Sequence, residues 1–274
     1  MAPPSVQRNI IIRGIFIGEV CIRFVDSAKN LGVILDNELS FEQQISRVVK
    51  ACFATLKKLN QVKGFFSIEE LKQLVSSLIF SNIDYCNALY FGISSSLLKR
   101  LQHIQNSAAK LVLKKKIPSG KLDATLTDLH WLKVQYRSIY KLVLIVHNCL
   151  HGKSPNEITA LLSSTDSCRT NMLKQPTHRN KYGCRAFSFV GPKLWNMIPN
   201  DIRSIDNTED FKKALKTFLI RNGDQFLYML KTAWKFDFLT LCETRDIYCM
   251  TQLNSCLFTD GELMQCLNCR YHYY

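Results

Sequence analysis

Between Ser40 and Leu59 apolar side chains recur at Ile45, Val48, Val49, Cys52, Phe53, Leu56 and Leu59. Only an α-helix gathers that three-and-four spacing onto one face. Arg47, Lys50, Lys57 and Lys58 fall on or near the other face. Ser40 followed by Gln43 has the spacing of a capping box, in which the serine oxygen accepts from the third amide and the glutamine reaches back. Upstream the pattern is different: from Ile10 to Leu35 most residues are β-branched or aromatic, broken by Gly14, Gly18 and Gly32. Short strands joined by tight turns are expected there. A chain that changes period once, near Leu35, confines its β structure to the N-terminus and builds the rest from helices. The expected fold class is mainly α, with a small N-terminal β element.

The helical period continues downstream. Ser67 and Glu70 repeat the capping-box spacing ahead of Leu71, Leu74, Val75, Leu78 and Ile79. A third helix is expected from about Ser96 to Leu113, with Leu97, Leu101, Ile104, Ala108, Leu111 and Val112 inward. It ends in Lys114, Lys115 and Lys116 before Pro118, where cations suit the helix dipole and proline stops the helix. After Ser119-Gly120, a short helix near Ala124–Leu129 precedes a longer one over Val134–Leu150, closed by Gly152. Residues 163–182 are polar, contain Pro176 and read as a loop with room for a short strand. A last helix is expected over Glu209–Ile220, capped by Asn207 or Thr208, with Phe211, Leu215, Phe218 and Leu219 inward and Lys212, Lys213 and Lys216 outward.

Charge is distributed unevenly. Of 36 basic and 22 acidic residues, residues 1–39 hold 4 and 4, residues 40–121 hold 13 and 4, residues 122–221 hold 15 and 8, and residues 222–274 hold 4 and 6. The segment nets are 0, +9, +7 and −2, which places the basic character in the middle of the chain and points to a polyanionic partner such as nucleic acid. Eleven cysteines without a spacing framework suggest free, buried thiols in a reducing compartment. Residues 1–17 lack the features of a signal peptide and no run approaches the length of a membrane span, so an intracellular location, cytoplasmic or nuclear and not secreted, is expected.

Four blocks carry a resemblance: KNLGVILDNELSFEQQI from Lys29 to Ile45, SNIDYCNALYFGI from Ser81 to Ile93, LKRLQHIQNSAAKLVL from Leu98 to Leu113, and RAFSFVGPKLWNMIPNDIR from Arg185 to Arg203. TLTDLHWLKV and FKKALKTFLI complete the series. In this order the blocks resemble the C-terminal part of the reverse transcriptase of LINE-type (non-LTR) retrotransposons, jockey-like and chicken-repeat-like. The resemblance covers roughly residues 10–221.

The resemblance implies a division into four parts: 1–39, a β remnant like the end of a palm; 40–121, a basic helical thumb-like region; 122–221, the helical C-terminal region; and 222–274, a divergent tail. It also implies that Asn30, Leu31 and Gly32 form a hairpin like the primer grip. Arg47, Lys50, Lys57, Lys58, Lys99, Arg100, Lys110, Lys114, Lys115 and Lys116 would then line a groove that tracks the phosphates of RNA or an RNA–DNA duplex. One departure is Lys133, where the family usually has proline after Trp131-Leu132, which puts the local turn in question. No catalytic residue carries over: the family's paired aspartates, which hold two metal ions, have no counterpart in a sequence without an Asp-Asp pair. The expectation is a reverse transcriptase fragment without its catalytic palm, not an enzyme as the chain stands and without a cofactor. Its rivals are a degenerate element fragment with no retained role and a co-opted helical interaction module. Strands deprived of a palm would expose apolar faces and edges and favour self-association.

Three other clusters carry less. Asp84-Tyr85-Cys86-Asn87 gathers an acid, a phenol and a thiol, but no histidine stands beside the cysteine to activate it, so packing is expected. His130, next to Trp131 at an apolar helix end, is expected to be packed and hydrogen-bonded. Cys266 and Cys269 with His272 resemble half a zinc knuckle; a structural site needs four ligands, and no metal is expected.

Overall fold

A computed structural model describes residues 14–163, 172–176 and 185–233. The β structure is two separate antiparallel hairpins, β1 (Gly14–Ile17) with β2 (Val20–Arg23) and β3 (Ser27–Asn30) with β4 (Val33–Asp36). The rest is helical: α1 (Glu42–Val62), α2 (Ile68–Val75), α3 (Ser81–Asp84), α4 (Ser95–Val112), α5 (Leu122–Asp128), α6 (Val134–Leu150), α7 (Asn156–Thr159), α8 (Phe187–Met197), α9 (Asn200–Arg203) and α10 (Thr208–Ala233). The fold is mainly α with small N-terminal hairpins, as the change of period requires. One apolar core runs from Val33 and Leu35 of β4 through α1, α2, α4 and α6 to Phe226 and Leu230 of α10.

The two hairpins have different fates. In β4, Val33 and Leu35 turn inward onto α1. The β1–β2 ribbon instead leaves Ile15, Phe16, Ile17, Val20 and Ile22 exposed, with Phe24 and Val25 beyond it. Its expected beginning, Ile10 to Arg13, lies outside the described residues.

Where α1 begins, the expected Ser40/Gln43 capping box does not form: Phe41, in left-handed conformation at φ 61°, occupies the cap without a side-chain bond. Buried Asp36 does the work instead. Its carboxylate accepts from the amides of Glu38 (3.1 Å), Ser40 (2.8 Å) and Phe41 (2.8 Å) and from the Ser40 hydroxyl (3.2 Å), leaving the Ser40 oxygen to accept only from Glu42 at 3.3 Å. The Ser67/Glu70 box is formed in both directions.

Leu78, expected inward, is exposed. Residues Ser76–Phe80 form a π turn, whose wider winding rotates Leu78 outward while Ile79 and Phe80 stay buried. The last helix is more than twice the length that the apolar period indicates, continuing past Ile220 to Ala233. Asn207 caps it by accepting from the amides of Glu209 and Asp210. Gly223 allows the extension to dock: a Cβ there would lie 2.6 Å from the Tyr136 ring. Lys216, expected outward, is half-buried.

Lys133 has φ −55° and ψ 148°, values that a proline also adopts, and its amine bridges Asp123 of α5 (3.0 Å) and Asp224 of α10 (3.2 Å). The 163–182 loop lies partly outside the described residues; within it, the Asn196 amide clamps the backbone of buried Leu173 from both sides, at 2.9 and 2.8 Å. Among the described residues no helix is long and apolar enough to cross a membrane.

Candidate nucleic-acid interface

The β3–β4 turn is built from Leu31 (φ 43°) and Gly32 (φ 85°), the paired positive φ of a tight hairpin whose twist matches its strands. Glycine adopts that conformation freely and leucine does not. Both turn carbonyls are held: the Tyr85 hydroxyl donates to Leu31 O, and Arg47 Nη2 donates to Gly32 O, each at 2.5 Å. Buried Gln44 completes the clamp, its Oε1 accepting from Ile34 N and from Arg47, both at 3.0 Å. The Asn30-Leu31-Gly32 hairpin is thus present and fixed to the first turns of α1. The sequence marks Tyr85 only as the phenol of the Asp84–Asn87 cluster; its reach across 54 residues to the hairpin has no local signal.

From this tip the basic residues run along α1 and α4. Lys50 and Lys57 share the α1 ridge of Ser46 and Phe53, and that ridge meets α4 through Arg100 donating to Ser46 Oγ (3.0 Å) and through the Phe53–His103 ring contact (5.5 Å). Lys99 and Lys110 lie eleven residues apart on α4, three whole turns, on the side away from Leu101, Ile104 and Ala108. Arg47 and Lys58 repeat that spacing one ridge further out on α1. Past the end of α4, Lys114 adopts φ 52° and donates to Phe66 O at 2.7 Å, leaving Lys115 and Lys116 exposed beside it.

Nine of the ten predicted cations are exposed and Arg100 is half-buried. Three of them, Arg47, Arg100 and Lys114, also brace the protein itself.

The stretches of chain that hold these cations carry no acid of their own. No acidic residue lies between Glu42 and Glu69 or between Asp84 and Asp123, the stretches that hold these cations. Among the described residues none of the ten forms an ion pair, whereas Lys72 pairs with Glu69, Lys212 with Glu209 and Lys213 with Asp210. Unneutralised cations in a row along two packed helices give a strongly positive field.

Beneath the face lies an ionic network. Arg137, only 2% exposed, donates to Asp84 at 2.6 Å and to Leu132 O at 3.1 Å, and its guanidinium stands 4.2 Å from the centre of the Phe80 ring. Lys141, one turn along α6, is also buried. Burial pushes the Asp84 carboxyl up, while Arg137, Lys141 and Asn87 oppose the rise. Burial and the charge of Arg137 lower the Lys216 amine. An i, i+4 pair of cations, Arg137 and Lys141, in a helix otherwise so apolar is the sequence signal of a buried counter-ion.

The Asp84–Asn87 cluster is a packing motif, as expected: burial pushes the Cys86 thiol up to about 11, and Asn87 donates to Asp84 at 3.0 Å. Cys52 and Cys149 are buried as well, but Cys21, expected to be buried, is exposed on the β1–β2 ribbon. His130 departs from expectation: at φ 54° it turns outward and is exposed, while Trp131 packs edge-on against Phe80 at 4.6 Å. His130, Trp131 and Phe66 line an open cleft of 840 Å³ between α2 and the α5–α6 turn. Among the described residues no three of His, Cys, Asp and Glu converge as metal ligands. Cys266, Cys269 and His272 lie outside the described residues.

Comparison of the chain with protein-family models, with curated proteins and with solved structures gave no match in any of the three.

Proposed function

We propose that this chain is a nucleic-acid-binding helical module, equivalent to the thumb and post-thumb parts of a LINE-type reverse transcriptase. It holds RNA or an RNA–DNA duplex along the α1–α4 face and leaves phosphoryl transfer to residues it does not itself contain. The observation that carries this reading is the carboxylate-free row from Arg47 to Lys116, braced at one end by the β3–β4 tip and at the other by Phe66. Phosphate contacts from such a row track the backbone and are tolerant of sequence. With α1 about 31 Å long and phosphates about 3.4 Å apart along one strand, the face spans several successive phosphates.

The test is a filter-binding titration at low salt with a short RNA–DNA hybrid. Wild-type protein is expected to bind; K57E/K110E is expected to lose most of that affinity, and K212E/K213E, on the ion-paired face of α10, to keep it. Absence of affinity in the wild type, or equal losses in both variants, would overturn the proposal.

A second reading, a helical protein-interaction module, is favoured by one observation, the exposed apolar ribbon of β1–β2. It is compatible with the first, since the ribbon and the basic face belong to different elements.

A further inference from the structure

Phe65 is the most exposed large apolar side chain among the described residues, at 88%. It stands on the 3-10 turn Lys63–Phe65 that extends α1, and the backbone on its C-terminal side is fixed. Lys114 binds the carbonyl of Phe66, the Phe66 side chain packs against the core, and the Ser67/Glu70 capping box follows at once. Phe65 is thus held out by ordered backbone. It follows the C-terminal end of α1, seven residues after Lys58. Lys63 lies two residues before it and Lys114 is anchored one residue after it, at Phe66. The nearest acids in sequence are engaged, Glu69 with Lys72 at 3.5 Å and Glu70 with Ser67 at 2.8 Å.

An aromatic ring held in water at the end of a cationic row has the two components of single-strand recognition. Cations attract the backbone, and a ring offers its face to a base. Aliphatic or protein partners would also cover a phenyl ring, but neither calls for the surrounding lysines.

We propose that Phe65 is a stacking platform for an unpaired nucleobase, placed where a duplex lying on the α1–α4 face gives way to single strand. This rests on the nucleic-acid binding proposed above and adds its ligand class: a hybrid with an overhang, in preference to a blunt one. The ring's exposure means that its removal leaves the fold intact.

The experiment compares a labelled blunt RNA–DNA hybrid with the same hybrid carrying a short single-stranded overhang, by fluorescence anisotropy on the full chain. Wild type is expected to bind the overhang hybrid more tightly. F65A should weaken that complex roughly 5- to 150-fold, the range of one lost stacking contact, and leave the blunt complex unchanged. F65W should restore the affinity, with its added emission quenched by the overhang hybrid alone. If wild type binds both hybrids and F65A alters neither, or alters both equally, the Phe65 assignment fails while the basic-face reading stands. If wild type binds neither, both fail. Self-association of the free protein that F65A abolishes would assign the ring to a second copy and overturn the proposal.

Discussion

Replacing Asp84 by asparagine keeps the shape of the side chain and one oxygen for Arg137, and removes the charge together with the second oxygen, which accepts from Asn87. What remains is a guanidinium at 2% exposure that has lost its carboxylate at 2.6 Å, with Lys141 buried one turn along α6. Breaking a buried ion pair from one side costs about 3–5 kcal/mol, because the surviving charge has lost its solvation and its partner. Arg137 keeps the Leu132 carbonyl and the face of Phe80, which moves the expectation to the lower end, about 3 kcal/mol. For a chain of this size that is a fall of about 6–12 °C in the unfolding midpoint. Differential scanning fluorimetry and urea titration of D84N beside wild type measure it, with E69Q as the control for an exposed pair. A loss under about 1 kcal/mol would mean that the carboxyl is already neutral in the folded protein, and the account of α6 as anchored by a buried counter-ion would be wrong.

Gly223→Ala sets two effects against each other. Helix propensity alone favours alanine by about 1 kcal/mol, but the new Cβ would lie 2.6 Å from the ring of buried Tyr136; a net loss of about 1–3 kcal/mol in urea unfolding is expected, and a gain would refute the docking of α10. Buried His147, stacked on Phe211 at 4.0 Å and facing His151 and Lys153, donates from Nε2 to Ile205 O at 2.9 Å, and burial lowers its pKa. The unfolded chain then takes up a proton that the folded chain resists, so stability is lost as pH falls below about 6.5; a urea midpoint that drops between pH 7.5 and 5.5, and drops less in His147→Gln, is expected, and equal drops would count against it. Light scattering should show concentration-dependent association through the β1–β2 ribbon, relieved by Phe16→Lys with Val20→Lys; a wild type that stays monomeric would sink that idea.

The helices of the core were legible because each needs only its own period. Ile45 to Leu59 and Leu97 to Val112 repeat at three and four, and these positions lie in or against the core. Leu78 shows a limit: one π turn shifts the register, and no composition rule marks it. Ser40 shows another, since the residue that caps α1 is Asp36, reached through a turn and not through the helix's own spacing. The end of α10 was hidden for a third reason. Asn222-Gly223 reads as a stop signal, and only the position of Tyr136, 87 residues earlier, explains a glycine inside a helix. The basic face was half legible: the cations and the lack of acids stand in the sequence, whereas the contacts that align two helices, Arg100 to Ser46 and Phe53 to His103, belong to tertiary structure. Phe65 had no periodic partner to mark it.

The salt dependence of affinity tests the central claim most directly. A protein that neutralises phosphates releases their counterions, so log Kobs should fall linearly with log salt, and engagement of about five of the ten cations gives a slope near −4 to −5. Titrations of an RNA–DNA hybrid from about 50 to 200 mM salt, on wild type and on Lys57→Ala and Lys110→Ala, measure it. The expected result is such a slope in wild type, reduced by about 1 in each variant. A slope near zero, or one that neither substitution changes, would show that the α1–α4 face is not where nucleic acid binds.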